Sequence, residues 1–131
     1  MRGLIYFVRM PEHKGASTHS CERGYRPVVV VSSHKGNRTS DIAMVCPITT
    51  KVKDLSCNVE IGWSLDGRPS QVLCNQITTI PKSELVYKRG SITLDEQRQV
   101  DIAMCISLGI NIDYNEVKDY DSKCKSVPGS V

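Results

Sequence analysis

The hydrophobic pattern is clearest between Gly24 and Ser32, where four valines follow one another without an intervening polar residue. Such a run is typical of a β-strand that is buried on both faces. Pro27 precedes the valines, and proline is tolerated where a strand begins or lies on an edge. The pattern therefore predicts a rigid strand with Arg26 at its entrance. A guanidinium held there suits binding an anion through two parallel donors, although this stretch alone favours an ordinary surface arginine.

Shorter strands are predicted around this one. The first runs from Leu4 to Val8, and residues 33–40 have the composition of a turn cluster. Three further stretches either alternate apolar and polar residues or are mainly apolar, and turn residues bound each of them. These stretches are residues 42–50, 58–63 and 71–80. Asp66-Gly67 marks a turn, and Pro81 ends the last of these strands. Short strands at regular spacing predict a small, strongly bent sheet or barrel.

One helix is predicted near the C-terminal end. Thr93 and Glu96 have the spacing of a capping box, in which each side chain accepts a hydrogen bond from a backbone N–H of the first turn. One apolar stripe follows at helical spacing, formed by Val100, Ala103, Met104, Ser107 and Leu108. Gly109 is the expected end. The fold class is therefore mainly β, of the α+β type, with a single C-terminal helix.

The length of 131 residues suits one domain with a single core. We expect this domain to cover residues 1–110 and the polar residues 111–131 to form a loosely ordered tail. No run of about 18 apolar residues is present, which argues against a membrane span. Residues 1–8 resemble a strand and lack the cleavage site of a signal peptide. A cytoplasmic location is expected.

The charge and the cysteines narrow the chemistry only a little. The net charge of +3 permits a nucleic acid or an acidic partner without demanding either. The six cysteines contain no C-x-x-C pair, and we interpret them as free thiols in a reducing compartment. His13, His19 and Cys21 lack a fourth ligand at suitable spacing, so no metal is expected.

A long polar segment, residues 9–24, separates the first two strands and leads directly to Arg26. Loops of this length in compact domains are usually functional or mobile. This one carries His19, Ser20 and Glu22, whose side chains can transfer protons or form hydrogen bonds. A solvated connector is the alternative interpretation.

Taken in order, these pieces resemble the MazF/PemK (Kid) family of toxin–antitoxin ribonucleases. The resemblance is carried by three stretches within residues 2–110, which read GYRPVVVVS from Gly24, AMVCPITT from Ala43 and VLCNQITTI from Val72. It implies an SH3-like barrel with a C-terminal helix that assembles as a homodimer. It also implies cleavage of single-stranded RNA without a metal or other cofactor, and inhibition by an antitoxin whose acidic, disordered segment blocks the RNA groove.

The resemblance also assigns residues. Arg26 matches the catalytic arginine of the family's Arg-Pro motif, and Thr49 matches the threonine that closes the Pro-Ile-Thr strand. Gln76 matches a glutamine that is structural or contacts RNA. Thr50, Lys51 and Ser20 are further candidates for RNA contact, and His19 and Glu22 are candidates for proton transfer, since arginine is a poor base.

The implied reaction uses the RNA 2′-hydroxyl as nucleophile and leaves a 2′,3′-cyclic phosphate and a 5′-hydroxyl. Arg26 suits the stabilisation of the negative phosphorane oxygens, and the Thr49 hydroxyl can add a second hydrogen bond.

The sequence departs from the family pattern at two places. The loop reads His-Ser-Cys-Glu-Arg-Gly from His19, where the family often has Gly-Ser-Glu-Gln-Gly-Gly, and Thr78 replaces the usual arginine after Gln-Ile. The resemblance therefore does not extend to the cleavage motif. Two alternatives stay open: a non-catalytic toxin of the same fold that binds a protein such as DNA gyrase, as CcdB does, and a basic barrel that only binds RNA.

Overall fold

The computed structural model describes residues 1–9, 24–52, 55 and 57–111. The long loop and the C-terminal tail, and with them the predictions for His19, Ser20 and Glu22, lie outside these residues. The described elements are the strands β1 (Leu4–Arg9), β2 (Tyr25–Val30), β3 (Ile42–Thr49), β4 (Asn58–Leu65), β5 (Arg68–Leu73), β6 (Thr78–Pro81) and β7 (Tyr87–Ser91), a 3-10 turn (Lys82–Glu84), and the helices α1 (His34–Thr39) and α2 (Leu94–Ser107). The predicted mainly β fold with a C-terminal helix is confirmed.

The strands form one antiparallel sheet in the order β4-β5-β3-β2-β1-β7, and β6 pairs with β3 beside this path. One edge of β3 has two partners in succession: Ile42 to Val45 pair with β6, and Ile48 and Thr49 pair with β5. Pro47 lies between these two pairings, where its missing N–H removes no ladder bond on that edge. The change of partner at Pro47 directs the end of β3 towards β5.

The sheet curls until its two terminal strands meet. The indole N–H of Trp63 on β4 donates to the backbone oxygen of Arg89 on β7 over 3.1 Å. Gly90 has a φ of 152°, and a Cβ atom there would lie 2.8 Å from Trp63 Cδ1. A glycine is therefore required at this close approach. The bent, barrel-like sheet that the strand spacing predicted is confirmed.

Both faces of the sheet bury apolar side chains. One face, which we call the helix face, packs under α2 and contains Ile5, Val29, Cys46, Ile48, Val72, Val100 and Ala103, among others. The opposite face contains Tyr6, Val8, Val28, Val30, Val45 and Ile80. Alternate valines of β2 thus point to different faces, and Val28, Val29 and Val30 are all 0% exposed. This confirms the prediction that the strand is buried on both sides.

The cysteines in the helix-face core behave as small apolar residues. Cys46 and Cys74 are both fully buried. A hydrogen bond with Cys46 and burial raise the pKa of the Cys74 thiol, so it stays protonated. The four cysteines in the described part of the chain are free thiols.

The helix α2 begins and ends as predicted. The Thr93 hydroxyl accepts from Glu96 N over 3.1 Å, and the Glu96 carboxylate accepts from Thr93 N over 2.8 Å. The second Glu96 oxygen accepts from Gly62 N over 2.6 Å, so the cap also attaches the helix to β4. Gly109 has a φ of 70° after the last turn. The predicted stripe is wrong at its end, because Leu108 is 63% exposed.

Two local predictions are corrected, and one strand was missed. Residues 33–40 are not simply a turn, since α1 forms there with Ser33 Oγ accepting from Gly36 N over 3.0 Å. The single strand predicted over 71–80 is two strands, because a turn at 74–77 carries the chain from β5 to a different edge position on β3. The edge strand β7 was not predicted. The turn at Asp66 and Gly67 is confirmed, with φ values of 53° and 74° that suit a two-residue hairpin.

No helix in the described ranges is long and apolar enough to cross a membrane.

Candidate active site

Arg26 is the second residue of β2, where it lies opposite Val8 of β1. Arg26 is half-buried. The pairing of β2 with β3 includes Val28, Val29 and Val30 but does not reach Arg26. Because side chains alternate along a strand, Arg26 belongs to the same face as Val28 and Val30, the face opposite α2. The guanidinium therefore emerges where the apolar core of that face ends.

Thr49 is the last residue of β3 and is also half-buried. Its hydroxyl oxygen accepts a hydrogen bond from the backbone N–H of Lys51 over 3.1 Å. This local turn orients the hydroxyl at the end of the strand. A hydroxyl that accepts one hydrogen bond can still donate its own proton.

The register of β2 and β3 relates the two residues. Val28 pairs with Pro47 in an antiparallel ladder, and Arg26 and Thr49 each lie two residues beyond this pair, towards the same end of the sheet. Residues two positions apart on a strand lie on the same face, so Arg26 shares the face of Val28, and Thr49 shares that of Pro47 opposite it. The register therefore directs both side chains to one face at one end of the sheet.

Two more polar residues continue this line. Thr49 pairs with Gln71 of β5, and Gln71 pairs with Glu60 of β4. We call Arg26, Thr49, Gln71 and Glu60 the polar row. Gln71 is only 4% exposed, and its Oε1 accepts from Asn58 Nδ2 over 3.2 Å.

Sequence reasoning missed Gln71, Glu60 and Asn58. Asn58 and Glu60 alternate with Val59 and Ile61, and this pattern predicts a strand with one polar face. The pattern does not show which residues of the neighbouring strand that face contacts. Gln71 lies in a largely apolar run, and its burial could not be anticipated from the pattern.

Of the other predicted site residues, two follow Thr49 directly and one lies apart from the polar row. Thr50 is half-buried and Lys51 is exposed, and both directly follow Thr49 in the chain. Gln76 is exposed in the turn between β5 and β6, and it is not part of the polar row. That turn lies beside Cys46 and Pro47 of β3, between the two strands that pair with this edge.

The Arg26 end of the polar row carries groups that are chemically suited to an anion and to hydrogen bonding. Arg26 presents a fixed fork of donors that matches two oxygens of a phosphate, and Thr49 adds a hydroxyl from the neighbouring strand. In the described part of the chain, no cluster of three or more histidine, cysteine or acidic residues is arranged to hold a metal ion.

The fold is shared with bacterial toxins of known structure. The Mycobacterium tuberculosis toxin MazF-mt6 superposes with a TM-score of 0.66 at 20% identity, covering 83% of this chain and 99% of that one. A mycobacterial endoribonuclease in complex with its cognate antitoxin gives a TM-score of 0.68 at 23% identity, covering 86% of this chain and 98% of that one. The chain therefore has the MazF-type toxin fold.

The sequence comparison is more specific. The model of the PemK-like, MazF-like toxins of type II toxin–antitoxin systems matches residues 1–108, and the chain belongs to this family. Endoribonuclease EndoA of Bacillus subtilis (strain 168) is 35% identical over 113 residues, which is 83% of this chain and 94% of that protein. The family resemblance carried by the three sequence stretches is confirmed.

Proposed function

We propose that this protein is a toxin endoribonuclease that cleaves single-stranded RNA, such as messenger RNA, at short sequence motifs. The observation that carries the proposal is the β2–β3 register, which directs Arg26 and Thr49 to one face at the end of both strands. Membership of the toxin family and 35% identity to an endoribonuclease support it.

In the proposed reaction, the 2′-hydroxyl of the RNA attacks the adjacent phosphorus. The Arg26 guanidinium donates two hydrogen bonds to the oxygens on which negative charge increases, and the Thr49 hydroxyl donates a third. Donors that are fixed before the reaction stabilise the transition state more than the ground state. The bond to the 5′-oxygen breaks, which leaves a 2′,3′-cyclic phosphate and a 5′-hydroxyl. We propose that no metal takes part, and that His19 and Glu22 transfer the protons.

The proposed partners follow the same reasoning. Similar toxins have been solved with their antitoxins, including a mycobacterial endoribonuclease and MazF of Deinococcus radiodurans. We propose a cognate acidic antitoxin for this chain, whose net charge is +3. A homodimer is supported by three exposed isoleucines at successive helical turns of α2 and just beyond it, Ile102, Ile106 and Ile110. The free thiols suit a cytoplasmic location.

The test is incubation of the purified protein with several long single-stranded RNAs in EDTA, followed by mapping of the product ends. We expect discrete fragments with cyclic phosphate and 5′-hydroxyl ends. The variant Arg26→Ala should give none. Thr49→Val should be slower by roughly tenfold to a hundredfold, because a hydrogen bond to a charged group contributes about 1.5–3 kcal/mol.

Thr79→Val is the matched control, since Thr79 is an exposed threonine on β6 outside the polar row. Intact RNA across all transcripts would contradict the proposal and favour a toxin that binds a protein, with DNA gyrase as the next target to test. RNA binding without cleavage would favour the barrel that only binds RNA.

A further inference from the structure

We infer that Asn58 determines sequence specificity by reading the edge of an RNA base beside the scissile phosphate, and that Gln71 holds the Asn58 amide in its reading orientation. This inference rests on the proposed RNA cleavage. It concerns two residues that the sequence analysis did not single out.

The Asn58 amide is held at both ends. Its Nδ2 donates to Gln71 Oε1 over 3.2 Å, and its Oδ1 accepts from the Cys57 thiol over 3.7 Å. In this arrangement the Asn58 nitrogen faces Gln71 and its oxygen faces the Cys57 thiol. A primary amide has a second N–H and a second lone pair. Asn58 therefore has the capacity to present one donor and one acceptor side by side.

A paired donor and acceptor is the pattern by which asparagine recognises the edge of adenine. Single-stranded RNA exposes such edges, because its unpaired bases can turn away from the backbone. Asn58 is half-buried at the first position of β4, so its amide is both supported by the protein and within reach of solvent.

The distance from the reacting phosphate is appropriate. Asn58 lies on β4, which is separated from Thr49 on β3 by β5 alone. Asn58 pairs with Leu73, two residues along β5 from the Gln71 that pairs with Thr49, so two strand spacings and two residue rises together amount to roughly 12 Å. A nucleotide whose phosphate lies between Arg26 and Thr49 could place its own base, or that of its neighbour, against Asn58.

Charge favours a base over a phosphate at this end of the polar row. Glu60 follows Asn58 by two residues on β4, so it shares a face with Asn58, and it is exposed. Its carboxylate repels a phosphate, whereas Arg26 at the other end of the row attracts one. The RNA backbone is therefore directed to the Arg26 end of the row. An uncharged base edge can occupy the other end, beside Asn58.

Gln71 acts as a positioning residue. It is 4% exposed, so its side chain contacts Asn58 rather than the substrate. Because Gln71 orders the Asn58 amide before RNA binds, binding does not have to restrict that side chain. The entropy cost of binding is therefore smaller, and the discrimination between bases is greater.

The experiment is cleavage of a single-stranded RNA pool with randomised sequence, in which the bases around each cut are read from the product ends. The variants are Asn58→Asp, which replaces the donor by an acceptor, Asn58→Ala, and Gln71→Met, which keeps the shape of the side chain and removes its amide. Asn111→Asp is the matched control, because Asn111 is an exposed asparagine beyond the end of α2. Thermal unfolding verifies that each variant is folded.

We expect Asn58→Asp to change the preferred base at one position next to the cut by roughly 5- to 150-fold, with the rate at the best remaining site largely kept. Asn58→Ala and Gln71→Met should weaken the preference at that same position, and Asn111→Asp should leave the motif unchanged. An unchanged motif in all three variants overturns the inference. So does an equal loss of rate at every site, which would mean that the amide pair only supports the fold. If the unaltered protein cleaves no RNA, the proposed function itself fails and the inference fails with it.

Discussion

The two faces of the central sheet differ in how they end. On the helix face, the apolar side chains of β1, β2 and β3 continue into α2, and Val100 and Ala103 complete the core. On the opposite face, the apolar side chains of β2 stop at Val28, and the next residue on that face is Arg26. One strand therefore buries both sets of its alternate residues in apolar cores, and the set opposite α2 ends at the candidate site. The comparison teaches that a strand buried on both faces can still deliver a functional side chain where its ladder ends.

The largest expected effect concerns the candidate site on the face opposite α2. Arg26→Lys keeps the positive charge but loses the planar fork of donors. Loss of one such fixed donor lowers the rate by about a hundredfold to a thousandfold, so the cleavage rate constant at saturating RNA should fall by that factor. Single-turnover kinetics would measure it.

Arg9→Lys is the control for this prediction, since Arg9 lies one β1 residue beyond Val8 and therefore on the other face of the sheet. Its cleavage rate should stay within a few-fold of the original. If both substitutions slowed cleavage equally, the cleavage rate would not depend on which face of the sheet carries the arginine, and the comparison of the two faces would be wrong.

The next effect tests the helix face. Ile5 is 0% exposed in the core under α2, and Ile5→Ala should lower the free energy of unfolding by about 2–5 kcal/mol. Chemical denaturation would measure this loss. At a temperature where the variant is still folded, its cleavage rate should be close to that of the original protein. A strong loss of cleavage in the folded variant would mean that the two faces are coupled.

A smaller effect concerns the attachment of the helix. Thr93→Ala removes the cap of α2 and should cost about 1 kcal/mol of unfolding free energy. Thr93→Ser keeps the hydroxyl and should cost much less. Equal stabilities of the two variants would show that the packing of Val100 and Ala103, and not the cap, determines the position of α2.

The smallest expected effect is a pH dependence away from both faces. Burial, then the positive charges of the N-terminus, Arg2 and Arg38, lower the pKa of His34 below its ordinary value of 6.5. Between the two values the unfolded chain binds more protons than the folded one, so this contribution favours unfolding as pH falls. It is absent well above pH 6.5.

His34→Gln removes this contribution. The difference in unfolding free energy between the original protein and the variant should therefore change as pH falls below 6.5 and be constant above it. A difference that is constant across this whole range would contradict the lowered pKa.

Several parts of the fold could be predicted because they depend on local pattern. The run of valines identified the central strand, the Thr93 and Glu96 spacing identified the start of α2, and Asp66-Gly67 identified a hairpin turn. The errors occurred where tertiary contacts override the pattern. Residues 33–40 include the weak helix formers Gly36, Asn37 and Thr39, yet Asn37 is buried and its backbone oxygen accepts from the distant Lys82 ammonium. The split between β5 and β6 depends on which part of β3 each one pairs with.

For the candidate site, the sequence by itself predicted Arg26 and Thr49, through the family motifs that contain them. Motif order is a property of the chain and requires no coordinates. Only the tertiary structure decided that Arg26 and Thr49 share a face at one end of the sheet, that Gln71 and Glu60 pair in turn beside Thr49, and that Asn58 is held by Gln71. The physical reason is register: a shift of one residue would move every side chain of a strand to the other face, and pairing across strands fixes that register.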